Sequence, residues 1–175
     1  MFTHKPNVFK QPDKIFETLY YHLNELTNFT TQKRKSCIFN LHEINLLSDN
    51  YSNRYSHIET PEIIQRIRTQ VEILTGKIYD YVLAHIYTDG DASIAFHNDK
   101  EALHSTVCSV SFGASRKFRL KKFDRNTGYD FQFILNSGDV FVMLPGCQAT
   151  YLHCIPKEKK VKTPRINLTF RQYEI

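Results

Sequence analysis

Residues 165–171 read Arg-Ile-Asn-Leu-Thr-Phe-Arg, and polar and apolar side chains alternate across all seven positions. In an extended chain, successive side chains point to opposite faces. The segment is therefore predicted to be a strand with two unlike faces. One is wholly apolar, with Ile166, Leu168 and Phe170, and the other carries Arg165, Asn167, Thr169 and Arg171. The apolar face must lie on a hydrophobic layer. Turned outward, the polar face is ordinary solvated surface. Turned inside a barrel, its two guanidiniums need an anion, because a bare buried charge is too costly. Arginine's planar fork suits a carboxylate bidentately, so a dicarboxylate would use both arginines.

The same period of two runs through the chain from Lys77 onward. It predicts strands at 79–87, 94–97, 106–112, 117–122, 130–135, 140–144, 150–153 and 165–170, separated by turn formers such as Asn126-Thr127-Gly128 and Asn136-Ser137-Gly138. Before Lys77 the period is helical. Ile15, Leu19, Leu23 and Leu26 share one face of a helix over 13–26. Ile63, Ile64, Ile67, Val71 and Leu74 share one face of a second helix, with Thr60 predicted as N-cap, Pro61 at the first position and Gly76 as the stop. Residues 30–58 are polar with scattered aromatics and read as loops and short strands. Two helices followed by many short strands predict an α+β fold with a jelly-roll double sheet and helices on one outer face.

Composition excludes several alternatives. At 175 residues, with 41% hydrophobic and 23% charged side chains, the chain reads as one soluble globular domain rather than a disordered or coiled-coil protein. Its longest apolar runs, such as Val140 to Leu144, fall far short of the roughly 18 residues of a membrane helix. No apolar leader opens the sequence, so an intracellular protein without a membrane partner is expected. Cys37, Cys108, Cys147 and Cys154 stand far apart, which favours free thiols in a reducing compartment. Residues 91–175 hold 13 Lys and Arg against 8 Asp and Glu, while residues 1–90 are balanced at 10 each. A basic second half points to an anionic partner or to a solvated basic face.

His97-Asn98-Asp99 is the candidate chemical motif. Residues i and i+2 of a strand share a face, so His97 and Asp99 would reach one metal ion. His153, closing a later strand, is the candidate third ligand. Two histidines and a carboxylate form a facial triad with open positions, the arrangement of non-haem iron(II) oxygenases. His57-Ile58-Glu59 has a similar shape but precedes the second helix, outside the strand-rich half.

The run His97-x-Asp99-x-Glu101, then Ser109-Val110-Ser111-Phe112-Gly113-Ala114-x-Arg116-x-Phe118, resembles the AlkB family of iron(II)- and 2-oxoglutarate-dependent dioxygenases. Gly138-Asp139-Val140-Phe141-Val142-Met143, His153 and the alternating arginine segment continue the resemblance in the same order, from about Lys77 to Arg171. It is greatest to the nucleic-acid repair branch. The resemblance implies a double-stranded β-helix core over 77–175, with a helical and nucleotide-lid region over 1–76, in a single domain. It implies iron(II) held by His97, Asp99 and His153, with 2-oxoglutarate and dioxygen as co-substrates. Arg165 would hold the distal carboxylate, Arg171 would lie at the metal end, and Tyr87, Asn167 and Thr169 would line the co-substrate site. His85 stands where the family carries Asn, and it would serve the same contact with an added titratable group. Glu101 would sit beside the metal and approach the substrate base, and His97 would offer it a ring face. Arg34-Lys35 resembles an Arg-Lys pair of the lid, and Tyr55 or Tyr51 would be the second stacking aromatic.

The activity so implied is oxidative demethylation of 1-methyladenine- or 3-methylcytosine-type bases in DNA or RNA by a monomer. Single strands are expected to be preferred, because the segment between Leu26 and Arg34 is short for a duplex-opening finger. Two basic runs, Arg116 to Arg125 and Lys157 to Lys162, would contact phosphates or form solvated hairpin tips. Two other readings remain at this point: an oxygenase of RNA or protein on the same core, and a nucleic-acid-binding module without turnover.

Overall fold

The computed structural model describes residues 1–26, 28–29, 33–41 and 59–173. The chain runs β1 (Phe2–Lys5), α1 (Pro12–Leu26), β2 (Asn28–Phe29), β3 (Arg34–Asn40), α2 (Glu62–Thr75), β4 (Tyr81–Tyr87) and β5 (Ile94–His97). A 3-10 turn (Lys100–Ala102) follows, then β6 (Val107–Gly113), β7 (Arg116–Lys122), β8 (Phe131–Leu135) and β9 (Val140–Met143). A short α3 (Cys147–Thr150), β10 (Tyr151–Ile155) and β11 (Arg165–Arg171) complete it. A seven-stranded sheet has the order β1-β9-β6-β11-β4-β3-β2, and a four-stranded sheet the order β5-β10-β7-β8. Adjacent strands pair antiparallel. This is the jelly-roll double sheet.

The larger sheet has a core on each face. Its outer face, including Phe39, Val82, Ala84, Ile86, Val110, Ile166, Leu168 and Phe170, packs with Leu19 and Leu23 of α1 and Ile64, Ile67 and Val71 of α2. A smaller cluster, including Phe118, Leu120, Phe141, Met143 and Ile155, fills one end of the space between the sheets. The apolar stripes of both helices thus bury against the sheet, as their spacing predicts. Gly76 ends α2 in the left-handed region at φ 65°, its N–H donating to Glu72 O at 2.8 Å. No helix among the described residues is long and apolar enough to cross a membrane.

One local expectation changes, and two strands join those that the period of two predicts. Thr60 does not cap α2; its hydroxyl donates to Asn40 O at 2.8 Å, and Pro61 stands at the cap with no side-chain bond. Within the stretch read as loops and short strands, β3 pairs with β4 along its whole length, from Arg34↔Tyr87 to Asn40↔Tyr81. The N-terminus is also a strand, with Phe2↔Met143 through Lys5↔Val140 on β9. Buried Asp139 secures it, accepting from the Asn7 and Asn136 backbone N–H groups and lying 2.9 Å from His4 Nε2. Polar-rich β1 and β3 owe their strand form to the neighbours they complete rather than to intrinsic propensity.

Gly113 faces Arg165 across β6 and β11 and is crossed by α1. A Cβ there would lie 2.6 Å from Pro164 O and 2.7 Å from Phe16 Cε2, and φ is +82°. Gly113→Ala should destabilise the fold by about 2–4 kcal/mol through strain and overpacking. Urea unfolding of the two proteins measures this, and an unchanged midpoint would contradict the close approach.

Candidate active site

The polar face of β11 turns inward, between the sheets. Every residue of this strand is buried, so its alternation separates two interiors rather than an interior from water. Rows of facing residues cross the larger sheet: Arg34–Tyr87–Arg165, Ser36–His85–Asn167–Ser111 and Asn40–Tyr81–Arg171. From the smaller sheet come His97 and His153, direct cross-strand partners on β5 and β10. Asp99 follows β5 at the head of the 3-10 turn.

The ligand atoms of His97, Asp99 and His153 all lie within 4.8 Å of one another. His97 Nε2 is 3.7 Å from Asp99 Oδ1, and His153 Nε2 is 3.9 Å from Asp99 Oδ2. His97 Nδ1 lies 2.9 Å from Ala95 O. A carbonyl only accepts, so Nδ1 carries the proton and the Nε2 lone pair is free to ligate. Buried Gln148 grips Asp99 twice: Oε1 accepts from its backbone N–H at 3.0 Å, and Nε2 donates to Oδ2 at 3.3 Å. The donor set and its outer support fit iron(II).

Electrostatics prepare these groups for a cation. Burial alone would raise the Asp99 carboxyl, but Arg171, His153 and His97 outweigh it and hold the carboxyl below its usual range. Burial lowers His153 to about 4, against a smaller upward pull from Asp99. Near neutral pH the site therefore offers a carboxylate and a neutral imidazole, the forms that bind metal.

Three buried arginines meet different fates. Arg116, expected among phosphate-binding residues, is enclosed: it donates to Glu158 Oε2 and to the carbonyls of Asp89, Ala92 and Pro156. It pins loops together and is not available to a nucleic acid. Arg171 is neutralised by Asp99 at 2.9 Å and by Glu101. Arg165 has no acid among the described residues. Its Nη2 donates to Ser111 Oγ at 2.9 Å, while Nε and Nη1 are buried without a partner. Burial lowers its pKa to about 10, with Tyr87 opposing and Arg116 reinforcing the shift. A buried cation without a counter-charge is the imprint of an anionic ligand. Arg165 lines the same cavity as the metal triad.

His85, Tyr87, Asn167 and Thr169 line that cavity too. The Asn167 amide is already engaged, donating to Ser109 Oγ and Val110 O and accepting from Thr169 Oγ1. Burial, then Arg34, Arg171, Arg165 and His97, keep His85 well below the usual imidazole range and therefore neutral. Arg34, expected at the substrate lid, sits in the larger sheet because β3 pairs with β4. Its guanidinium lies 5.8 Å from the Tyr87 ring centroid, with Nε and Nη1 unpartnered among the described residues. Lys35 points the other way, to Asn24 of α1. Tyr51, Tyr55 and His57 lie outside the described residues. Sequence reading missed Gln148 and Ser36, which no spacing marks. Ser109 and Ser111 stood within the quoted motif, and their period-two spacing signals their inward face.

Comparison with known proteins extends the picture. Residues 9–171 match the 2OG-Fe(II) oxygenase superfamily. The bovine protein named DNA oxidative demethylase ALKBH2 is 34% identical over 119 residues, covering 63% of this chain and 43% of that one. Human alpha-ketoglutarate-dependent dioxygenase alkB homolog 3 is 29% identical over 119 residues, covering 62% and 42%. The chain thus spans less than half the length of these two relatives. The solved structure of OsALKBH1 superposes with a TM-score of 0.70 at 17% identity, covering 98% of this chain and 96% of that one, which bears on the fold.

His153 makes stability depend on pH. Its folded value of about 4 lies below the unfolded value of about 6.5. Its neutral form is favoured by folding, so the contribution is intact above pH 6.5 and is lost as pH falls toward 4. In metal-free protein this loss should reach about 3 kcal/mol. Urea unfolding at about pH 7 and about pH 4.5 checks it. His153→Gln should show a flatter pH dependence over that window, and equal slopes would contradict the buried neutral imidazole.

Proposed function

The chain belongs to the 2OG-Fe(II) oxygenase superfamily, and on that premise we propose that it oxidatively demethylates N-alkylated bases of DNA or RNA. The observation that carries this reading is a buried arginine without a counter-charge among the described residues, in the same cavity as a two-histidine, one-aspartate cluster. The family's co-reactants are iron(II), 2-oxoglutarate and dioxygen. The net reaction turns an N-methyl base, 2-oxoglutarate and dioxygen into the free base, formaldehyde, succinate and carbon dioxide. Iron(II), held by His97, Asp99 and His153, supplies the oxidising chemistry with the two co-substrates.

The protein's own groups bind and orient. Arg165 clamps the distal carboxylate, its guanidinium 5.2 Å from the centroid of the Tyr87 ring. Arg171 holds Asp99 and Glu101 together, tying a metal ligand to the acid that faces the substrate base. Glu101 is 38% and His97 33% exposed in their side chains, so both reach the mouth. There, Glu101 hydrogen-bonds the base edge and the His97 ring stacks on its face. Tyr55 or Tyr51 closes the other face, in an N-terminal region over 1–76 that supplies the lid.

The substrate strand is single. Flipping a base from duplex costs a few kcal/mol, least in single strands, and between Leu26 and Arg34 Phe29 is the single aromatic available as a wedge. Exposed Lys157, Lys159, Lys160 and Lys162 would follow the backbone by charge. Four buried free thiols support a reducing, intracellular setting.

Formaldehyde release from 1-methyladenine or 3-methylcytosine in single-stranded DNA, the same DNA annealed, and RNA tests the reading. Turnover should be fastest on a single strand and absent in Asp99→Ala. No formaldehyde from any of the three substrates would sink the assignment, and equal repair of the annealed form would sink the strand preference.

Arg165→Lys keeps the charge and loses the fork. The KM for 2-oxoglutarate should rise by a factor corresponding to about 1–3 kcal/mol. An unchanged KM would remove Arg165 from the co-substrate site.

A further inference from the structure

Ser36, His85 and Asn167 form one row across β3, β4 and β11. Ser36 Oγ lies 2.7 Å from His85 Nδ1. His85 lines the cavity, and its Nε2 makes no hydrogen bond with any described residue. The imidazole is neutral, so it carries one proton, and the partner of one nitrogen decides which nitrogen keeps it. A serine hydroxyl donates or accepts; donating into Nδ1 leaves the proton on Nε2, facing the cavity. Asn167, next in the row, has its amide nitrogen engaged by Ser109 and Val110. His85 is thus the member of the row with a ring nitrogen still open to a ligand.

We propose that Ser36 is a positioning residue for the co-substrate: its hydroxyl donates to His85 Nδ1 and holds the ring as the Nε2–H tautomer, which donates a hydrogen bond to bound 2-oxoglutarate. This rests on the oxygenase reading above. An amide presents an N–H without help. A neutral imidazole presents one toward the cavity only as its Nε2–H tautomer, and a hydroxyl on the neighbouring strand that donates to Nδ1 fixes that tautomer. Ser36 stands there, in register.

The test uses zinc-loaded protein, because zinc has no redox chemistry and binding is then read without turnover. Two-bond proton–nitrogen NMR of 15N-histidine-labelled protein should show His85 protonated on Nε2 when 2-oxoglutarate is bound. By calorimetry, Ser36→Ala should weaken 2-oxoglutarate binding about 3- to 10-fold, the worth of one hydrogen bond. Ser36→Thr, which keeps the hydroxyl, should restore it. In a His85→Asn background the amide donates unaided, so adding Ser36→Ala should have no further effect. An Nδ1–H tautomer in the complex would overturn the proposal. An equal loss from Ser36→Ala in the wild-type and His85→Asn backgrounds would overturn it too, because the serine would then act without the imidazole. Binding that depends on Arg165 but ignores Ser36 overturns this inference alone. Failure of the wild-type protein to bind 2-oxoglutarate overturns it together with the oxygenase reading.

Discussion

The ladder that seats β11 between β6 and β4 is the constraint on which the rest depends. Arg165 faces Gly113 on one side and Tyr87 on the other, and the register runs on through Phe170 without a break. A slip of one residue would exchange the faces of the strand. Arg165 and Arg171 would then enter the helix-covered core, and Ile166, Leu168 and Phe170 would enter the cavity. Both outcomes are costly, so burial on two sides fixes the register from two directions. The cavity lining follows from that register, because Tyr87, His85 and the serines of β6 are placed by the same rows.

Charge balance then distinguishes one buried arginine from the others. Arg116 has its donors distributed over three carbonyls and Glu158. Arg171 is paired with Asp99 and Glu101. Among the described residues Arg165 has a serine, an aromatic ring and two unpartnered nitrogens. The fold thus keeps a localised positive potential at one end of the cavity and a carboxylate at the other. A dianionic co-substrate with a metal-chelating end matches that polarity without rearranging the protein's own ion pairs. Asp99 works from both sides of this arrangement: it offers oxygen to a metal, and it holds Arg171, which also grips Glu101 at the mouth. Gln148 restrains it from behind, so the ligand geometry belongs to packed, hydrogen-bonded groups rather than to a mobile loop.

Features that are local and periodic are legible in the amino-acid order alone. The two faces of β11, the shared face of His97 and Asp99, the stripes of α1 and α2 and the stop at Gly76 are properties of a few neighbouring side chains, and the structure keeps them. Tertiary structure decided what depends on partners distant in sequence. β1 and β3 carry too few apolar residues to announce themselves, and they become strands because β9 and β4 offer them open edges. Thr60 turned to Asn40 because β3 brings that carbonyl within reach. His153 meets His97 only through the β5–β10 register, and Gln148 reaches Asp99 only because α3 packs beneath the turn. Arg116 and Arg165 look alike in the chain. One is a structural pin and the other is left without a counter-charge, because the loops around Arg116 supply carbonyls and an acid while, among the described residues, the sheet around Arg165 supplies no acid. That difference is set by the satisfaction of buried charge, which no stretch of sequence contains.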